Sequence, residues 1–173
     1  MEFLKYKLFI VLILLLESCI SQQKQLSTEN ISNFNLRLSG LYYLHDDEGI
    51  ESFFLYKNGI YLYNGSSGIG CESLNCHESL ISRKANENND TNYYEYKGNW
   101  GVFSIDIDKI TIKRYWGIGF GSYGVQSMKG NILDSETIEI TNFNGKDLKE
   151  TWIYQFHPYS PKPDSTNKFI DYR

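Results

Sequence analysis

Lys109-Ile110-Thr111-Ile112-Lys113 and Glu136-Thr137-Ile138-Glu139-Ile140-Thr141 decide the fold class. In both, isoleucine alternates with charged or hydroxyl residues. A period of two places every apolar side chain on one face of a strand and every polar one on the other. One buried and one wet face is the pattern of an antiparallel sheet. From Arg37 onward the chain keeps this texture of short runs rich in Tyr, Phe, Ile and Thr, broken by Gly, Asn and Asp. These are strand and turn compositions.

Eight strand segments follow: Ser39–His45, Ile50–Tyr56, Ile60–Asn64, Tyr94–Asn99 continuing into Trp100–Ile105, Lys109–Trp116, Val125–Ile132, Glu136–Phe143 and Leu148–Phe156. Asn58-Gly59 supplies positive φ at both central positions of a tight hairpin. Asp106 to Lys109, Leu133 to Glu136 and Asn144 to Asp147 are further turns of Asp, Asn and Gly. Sequential hairpins give a meander, and eight antiparallel strands can close so that no edge is exposed. The expected fold is all-β: an up-and-down barrel of about eight strands, preferred to a two-sheet sandwich, spanning residues 37–157. Lys109, Lys113, Glu136 and Glu139 on the outward faces argue against a barrel embedded in lipid. Ser52 to Tyr56 and Trp152 to Phe156 are apolar on both parities, so a helix, the tail or a partner must cover their outer faces. One short helix is expected in the 71–86 insertion, where Leu74, Leu80 and Ile81 have roughly helical spacing. Glu87 to Asn92 reads as a solvated loop. Residues 158–173, with three prolines, read as an extended tail able to pack Phe169 and Ile170 on the barrel.

The N-terminus is of another kind. Lys5 and Lys7 precede an apolar run from Leu8 to Leu16, too short for a bilayer core that needs roughly 20 residues, and the pattern is that of an export signal. Leu16-Glu17-Ser18-Cys19 resembles the lipobox of bacterial lipoproteins, with Leu three places before the Cys and a small residue directly before it. Glu17 departs from the usual small residue. The resemblance implies that residues 1–18 are a signal peptide, that Cys19 carries lipid, and that the chain is anchored to a bacterial cell envelope, on its periplasmic side or at the cell surface. The polar stretch 19–36 then reads as a flexible tether. The remaining Cys71 and Cys76 form an even pair in an oxidising compartment, close enough for a disulfide that shapes a loop. A metal site of Cys71, Cys76 and His77 would lack a second ligand cluster.

The 173 residues carry 17 basic and 21 acidic side chains, a net charge of −4, which disfavours nucleic-acid binding. Gly119-Phe120-Gly121-Ser122-Tyr123-Gly124 matches G-x-G-x-x-G, but a strand-like segment follows where a nucleotide site needs a helix. It reads as a loop or bulged corner at a barrel mouth. His45-Asp46-Asp47-Glu48 is a solvated acidic turn, with calcium or zinc as the alternative. Gly65-Ser66-Ser67-Gly68 lacks the spacing of a nucleophile elbow. Asp106 and Asp108 are turn formers, and His77 and His157 stand alone. The expectation is a non-enzymatic protein without cofactor or metal.

Aromatics crowd the strands, and half must point inward. Tyr43, Phe53, Trp100, Trp116, Trp152 and Tyr154 are the candidate lining of a site for a small apolar or amphipathic ligand. A filled core is the alternative, with an envelope protein as the partner. This pattern, from Ser39 to Phe156, is similar to the lipocalin-like barrels of small bacterial lipoproteins. Lipocalins carry G-x-W on their first strand. Here Gly98-Asn99-Trp100 lies on the fourth segment, and Gly40-Leu41-Tyr42 stands on the first. The resemblance implies an antiparallel barrel with an interior site, and transfers no functional residue.

Overall fold

The computed structural model describes residues 26–28, 35–66, 71–86, 93–119 and 121–171. Eight strands form one closed antiparallel barrel in sequence order. They are β1 (Gly40–Asp46), β2 (Gly49–Leu55), β3 (Ile60–Ser66), β4 (Trp100–Asp106), β5 (Lys109–Gly119), β6 (Ser122–Ile132), β7 (Thr137–Phe143) and β8 (Lys146–Pro158). Closure is made by β8 returning to β1, with Tyr42 opposite Phe156 and Gly40 opposite Pro158. The expected barrel forms, and the sandwich does not. Ile110, Ile112, Ile138 and Ile140 are all buried, as their alternation requires.

Local chemistry explains where the boundaries moved. Tyr94 to Asn99 is not strand but two short 3-10 turns, Tyr93–Glu95 and Lys97–Asn99. The chain folds back so tightly that a Cβ on Gly98 would stand 2.5 Å from the Tyr96 ring, and the Trp100 indole donates to the Tyr94 carbonyl at 2.6 Å. At the β2–β3 turn only Gly59 takes positive φ, and a Gly59 N–H to Tyr56 O bond closes it. Asn58 does not need the left-handed region, contrary to the two-residue hairpin expected there. That geometry occurs instead at Asn144-Gly145, where both residues have positive φ between Phe143 and Lys146.

Two apolar clusters lie on opposite faces of the wall. The first takes residues from all eight strands, including Tyr42, Phe53, Tyr61, Phe103, Ile112, Met128, Ile140 and Tyr154, and is therefore the barrel interior. The second, with Leu41, Phe54, Leu62, Trp100, Val102 and Tyr115, lies outside β1 to β5. It is covered by helix α1 (Leu74–Asn86) through Ile81, by the tail through Phe169 and Ile170, and by Leu26. The two-sided apolar character of β2 thus has its cover. On β8 the outward Ile153 stays 36% exposed.

The stretch read as a tether is a correction in part. Leu26 is buried, Ser27 bridges Asp171, and Thr28 N–H donates to the Asp171 carbonyl. Leu36 belongs to the interior cluster. Leu26 and Leu36 each find a hydrophobic site, which outweighs the chain entropy lost at those points.

At the β4–β5 turn Ile107 is 91% exposed with φ of 58°. A β-branched side chain in the left-handed region costs about 1–2 kcal/mol and here buries nothing in return. Ile107→Gly is expected to raise the melting temperature by about 2–4 °C in thermal denaturation. An unchanged or lower value would show that the turn stores no such strain.

Candidate functional site

The strand directions give the barrel two unlike ends. At one lie the β2–β3, β4–β5 and β6–β7 turns, and the chain before β1 closes it. Leu36 enters the core, Arg37 N–H donates to the Ser135 carbonyl, and the Tyr42 hydroxyl donates to the Arg37 carbonyl. Arg37 also pairs with Glu136 and covers the Phe156 ring at 4.3 Å. The centre of the barrel is filled by rings. Phe53 lies 5.9 Å from Tyr42, 5.1 Å from Tyr61 and 4.8 Å from Tyr154.

At the opposite end the interior turns polar. Glu51 on β2 accepts hydrogen bonds from the Tyr154 hydroxyl at 2.6 Å and the Tyr63 hydroxyl at 3.2 Å, one on each carboxylate oxygen. Arg114 on β5 donates from Nε to Gln126 Oε1 at 3.1 Å. Its guanidinium lies 4.2 Å over the Tyr63 ring and 5.4 Å from the Trp116 ring. Burial and the neighbouring carboxylate push the Tyr63 phenol up to about 12 and raise Tyr154 further. Burial disfavours the Arg114 charge, but the phenols of Tyr61 and Tyr63 and the Glu51 carboxylate outweigh it and raise its pKa. The phenols therefore stay protonated donors, and Arg114 stays cationic, across the physiological range. Glu51, Tyr63 and Arg114 are half-buried, and Trp116 is 47% exposed, so this cluster reaches solvent. Chemically it offers a cation, carboxylate acceptors and two aromatic faces.

The six residues expected to line one site do not converge. Phe53 and Tyr154 lie in the interior, with Trp152 at its edge, 5.5 Å from the Phe143 ring. Trp116 stands above them at the mouth. Tyr43 and Trp100 are corrections: both face outward in the second cluster, Tyr43 bonded to Gln155 and Trp100 packed beneath the 3-10 turns. Strand parity decides this, since Tyr42 rather than Tyr43 shares the face of Phe53, and the displaced start of β4 turns Trp100 out. Glu51, Arg114, Tyr63 and Gln126 were missed. Parity alone could have found two of them, because Arg114 continues the face of Ile110 and Ile112, and Glu51 that of Phe53 and Leu55.

A second polar cluster lies outside the wall, under α1. Two residues of β3, Asn64 and Gly65, meet Ser52 at a bulge. Asn64 Nδ2 donates to Ser52 Oγ at 3.3 Å, and Ser52 Oγ lies 2.7 Å from His77 Nε2. With that acceptance from Asn64, the hydroxyl proton points at Nε2. Lys84 Nζ donates to the Asn64 carbonyl at 2.6 Å. The distance is that of a nucleophile and its base, yet Ser52 is fully buried and His77 is 1% exposed. Among the described residues His77 Nδ1 has no orienting partner. Burial, with Lys84 adding to it, lowers the imidazole to about 4, so it is neutral near pH 7. This cluster docks the helix. Nearby the Cys71–Cys76 disulfide is formed, with Cα atoms 5.5 Å apart, and His157 Nε2 meets Glu78 Oε1 at 2.9 Å.

The other motifs resolve simply. The glycine-rich hexapeptide caps the β5–β6 hairpin and is followed by strand, with Gly119 and Gly121 at positive φ. Asp46 Oδ1 accepts from the Glu48 N–H in the acidic turn. Among the described residues no three His, Cys, Asp or Glu side chains gather to hold a metal ion. Cys19 lies outside the described residues.

The lowered His77 pKa has a sign. Above about pH 6.5 both folded and unfolded chains hold it neutral, and its contribution is constant. Between about 6.5 and 4 only the unfolded chain takes the proton, so stability falls as the pH drops, by about 3 kcal/mol in all. Denaturant midpoints at pH 7.5 and 4.5 should therefore differ less in His77→Gln than in the wild type, and equal pH losses would refute the docked neutral imidazole. Comparison with known proteins returns no matching family model, no matching curated protein and no matching solved structure, so the function is argued from this chain's own geometry.

Proposed function

We propose that this is a non-enzymatic, lipid-anchored protein of the bacterial cell envelope that holds a small amphipathic ligand at the mouth of its barrel. One observation carries the reading: charged and polar side chains, Glu51 and Arg114 with Tyr63, Tyr154 and Gln126, stand inside the wall at the end opposite the one that Leu36 and Arg37 close. Placing charge inside a barrel is costly unless it is paired, and a site that recognises a ligand is the common reason to keep it. The rings of Tyr63 and Trp116 supply the apolar part of the contact. Packing around Phe53 limits the ligand to the upper barrel, unlike a deep lipocalin pocket. The closed antiparallel architecture supports the calycin-type reading at the level of fold. The segment up to Cys19 and the formed Cys71–Cys76 bridge support export and acylation.

The alternative is an interaction or structural envelope protein with a filled barrel. The Phe53 ring contacts at 4.8–5.9 Å favour it. Native mass spectrometry of the protein purified from its own host distinguishes the two. A bound small molecule is expected, with retention at least tenfold weaker in Arg114→Ala, since a hydrogen bond to a charged group is worth about 1.5–3 kcal/mol. A protein that carries no small molecule, and whose tryptophan emission responds to no amphipathic compound, would leave the filled barrel.

A further inference from the structure

The β5–β6 hairpin overhangs the barrel. β4 pairs with β5 only as far as Arg114, and β7 with β6 only from Met128. Among the described residues, Tyr115 to Gly119 and Ser122 to Val125 therefore pair only with each other, a two-stranded ribbon about 16 Å long. From Tyr115 to Met128 the sequence holds no charged residue and contains Trp, Ile, Phe, Val and two tyrosines. Ile118 is 66% exposed and Val125 41%, with Tyr96 beside them at 50% and its ring 5.9 Å from that of Tyr123. Cations gather at the base. Lys97 Nζ lies 4.2 Å over the Tyr115 ring and 5.5 Å from that of Tyr123, and Lys113 and Arg114 precede the overhang.

Leu26 is held at this same place. Leu26 N–H donates to the Tyr115 hydroxyl at 2.8 Å, at the first residue of the overhang. Six residues lie between Cys19 and Leu26, so the seven Cα–Cα steps even fully extended span about 25 Å. A lipid on Cys19 thus holds the base of the ribbon within about 25 Å of the bilayer surface, not at the end of a long tether.

We infer that the overhanging ribbon, with Trp116, Ile118, Val125 and the adjoining Tyr96, is a membrane-contacting surface whose partner is the lipid bilayer. The inference rests on the reading of Cys19 as the lipidated residue. Trp and Tyr sit favourably at the boundary between headgroups and acyl chains, and Lys97 and Lys113 at the base match anionic headgroups. Backbone groups of the ribbon stay bonded to each other, so a shallow contact leaves none unpaired. The barrel mouth then opens toward the membrane.

The test uses the full chain, acylated in its own host and reconstituted in phosphatidylcholine–phosphatidylglycerol vesicles, with acyl-chain-brominated phosphatidylcholine as the quencher. Trp100 is 1% exposed and Trp152 only partly exposed, so Trp116 is the tryptophan within reach. Bromolipid is expected to dim the emission, and Trp116→Phe to abolish more than half of that loss. Ile118→Asp, which retains Trp116 as the probe, should weaken the quenching at least twofold with an unchanged melting temperature. Equal quenching in wild type and both variants, or none from protein whose mass shows an acylated Cys19, overturns the inference. A Trp116-dependent dimer without quenching overturns it in favour of a second copy. An unmodified Cys19 in the same mass spectrum defeats the anchoring reading itself, and the inference with it.

Discussion

Closure of the sheet by β8 on β1 is the constraint on which everything else depends. It requires close approach, since a Cβ on Gly40 would stand 2.0 Å from the His157 carbonyl oxygen. Gly130 meets the same limit against the Glu139 carbonyl oxygen, at 1.8 Å, where β6 and β7 shift register. Closure removes both edges and creates an inside of fixed volume. Eight strands leave room for about their own side chains, and the rings of Tyr42, Phe53, Tyr61 and Tyr154 take that room at the centre. What is left for chemistry is therefore the end, and the charged residues stand there.

The outside of the wall follows from the same closure. Strands β1 to β5 carry large apolar residues on both faces, so an outer layer had to exist. The chain supplies it from three distant pieces: α1, residues 26–28 and the tail. Polar pegs fix their places. His77 reaches Ser52, and Lys162 Nζ donates to the Leu38 and Leu55 carbonyls at 2.7 Å each while lying 4.1 Å over the Tyr56 ring. Burial lowers the Lys162 ammonium to about 8, a sign of how far the tail is drawn in. Buried polar groups of this kind add little net stability but reject wrong placements, because an unpaired buried donor is costly.

Much of this was legible beforehand. The alternation of Ile110 and Ile112, and of Ile138 and Ile140, named the sheet and its antiparallel sense. Turn residues counted the strands, and the spacing of Cys71 and Cys76 named their bridge. The errors came where alternation is ambiguous. Tyr94 to Asn99 looked extended, yet Tyr96 folds over Gly98. Tyr43 and Trp100 were assigned inward, although Tyr42 and Phe103 hold the inward parity.

By itself the sequence determined the class of fold and the positions of most strands, because period and turn chemistry are local properties. Only the tertiary structure decided which face of β1 to β4 is inside, since both their faces are apolar and closure alone distinguishes them. It also decided that Glu51 meets Tyr63 and Tyr154, 12 and 103 residues away, and that Leu26 bonds Tyr115 across 89. Such contacts depend on register and packing between segments far apart in the chain, and no local pattern encodes them.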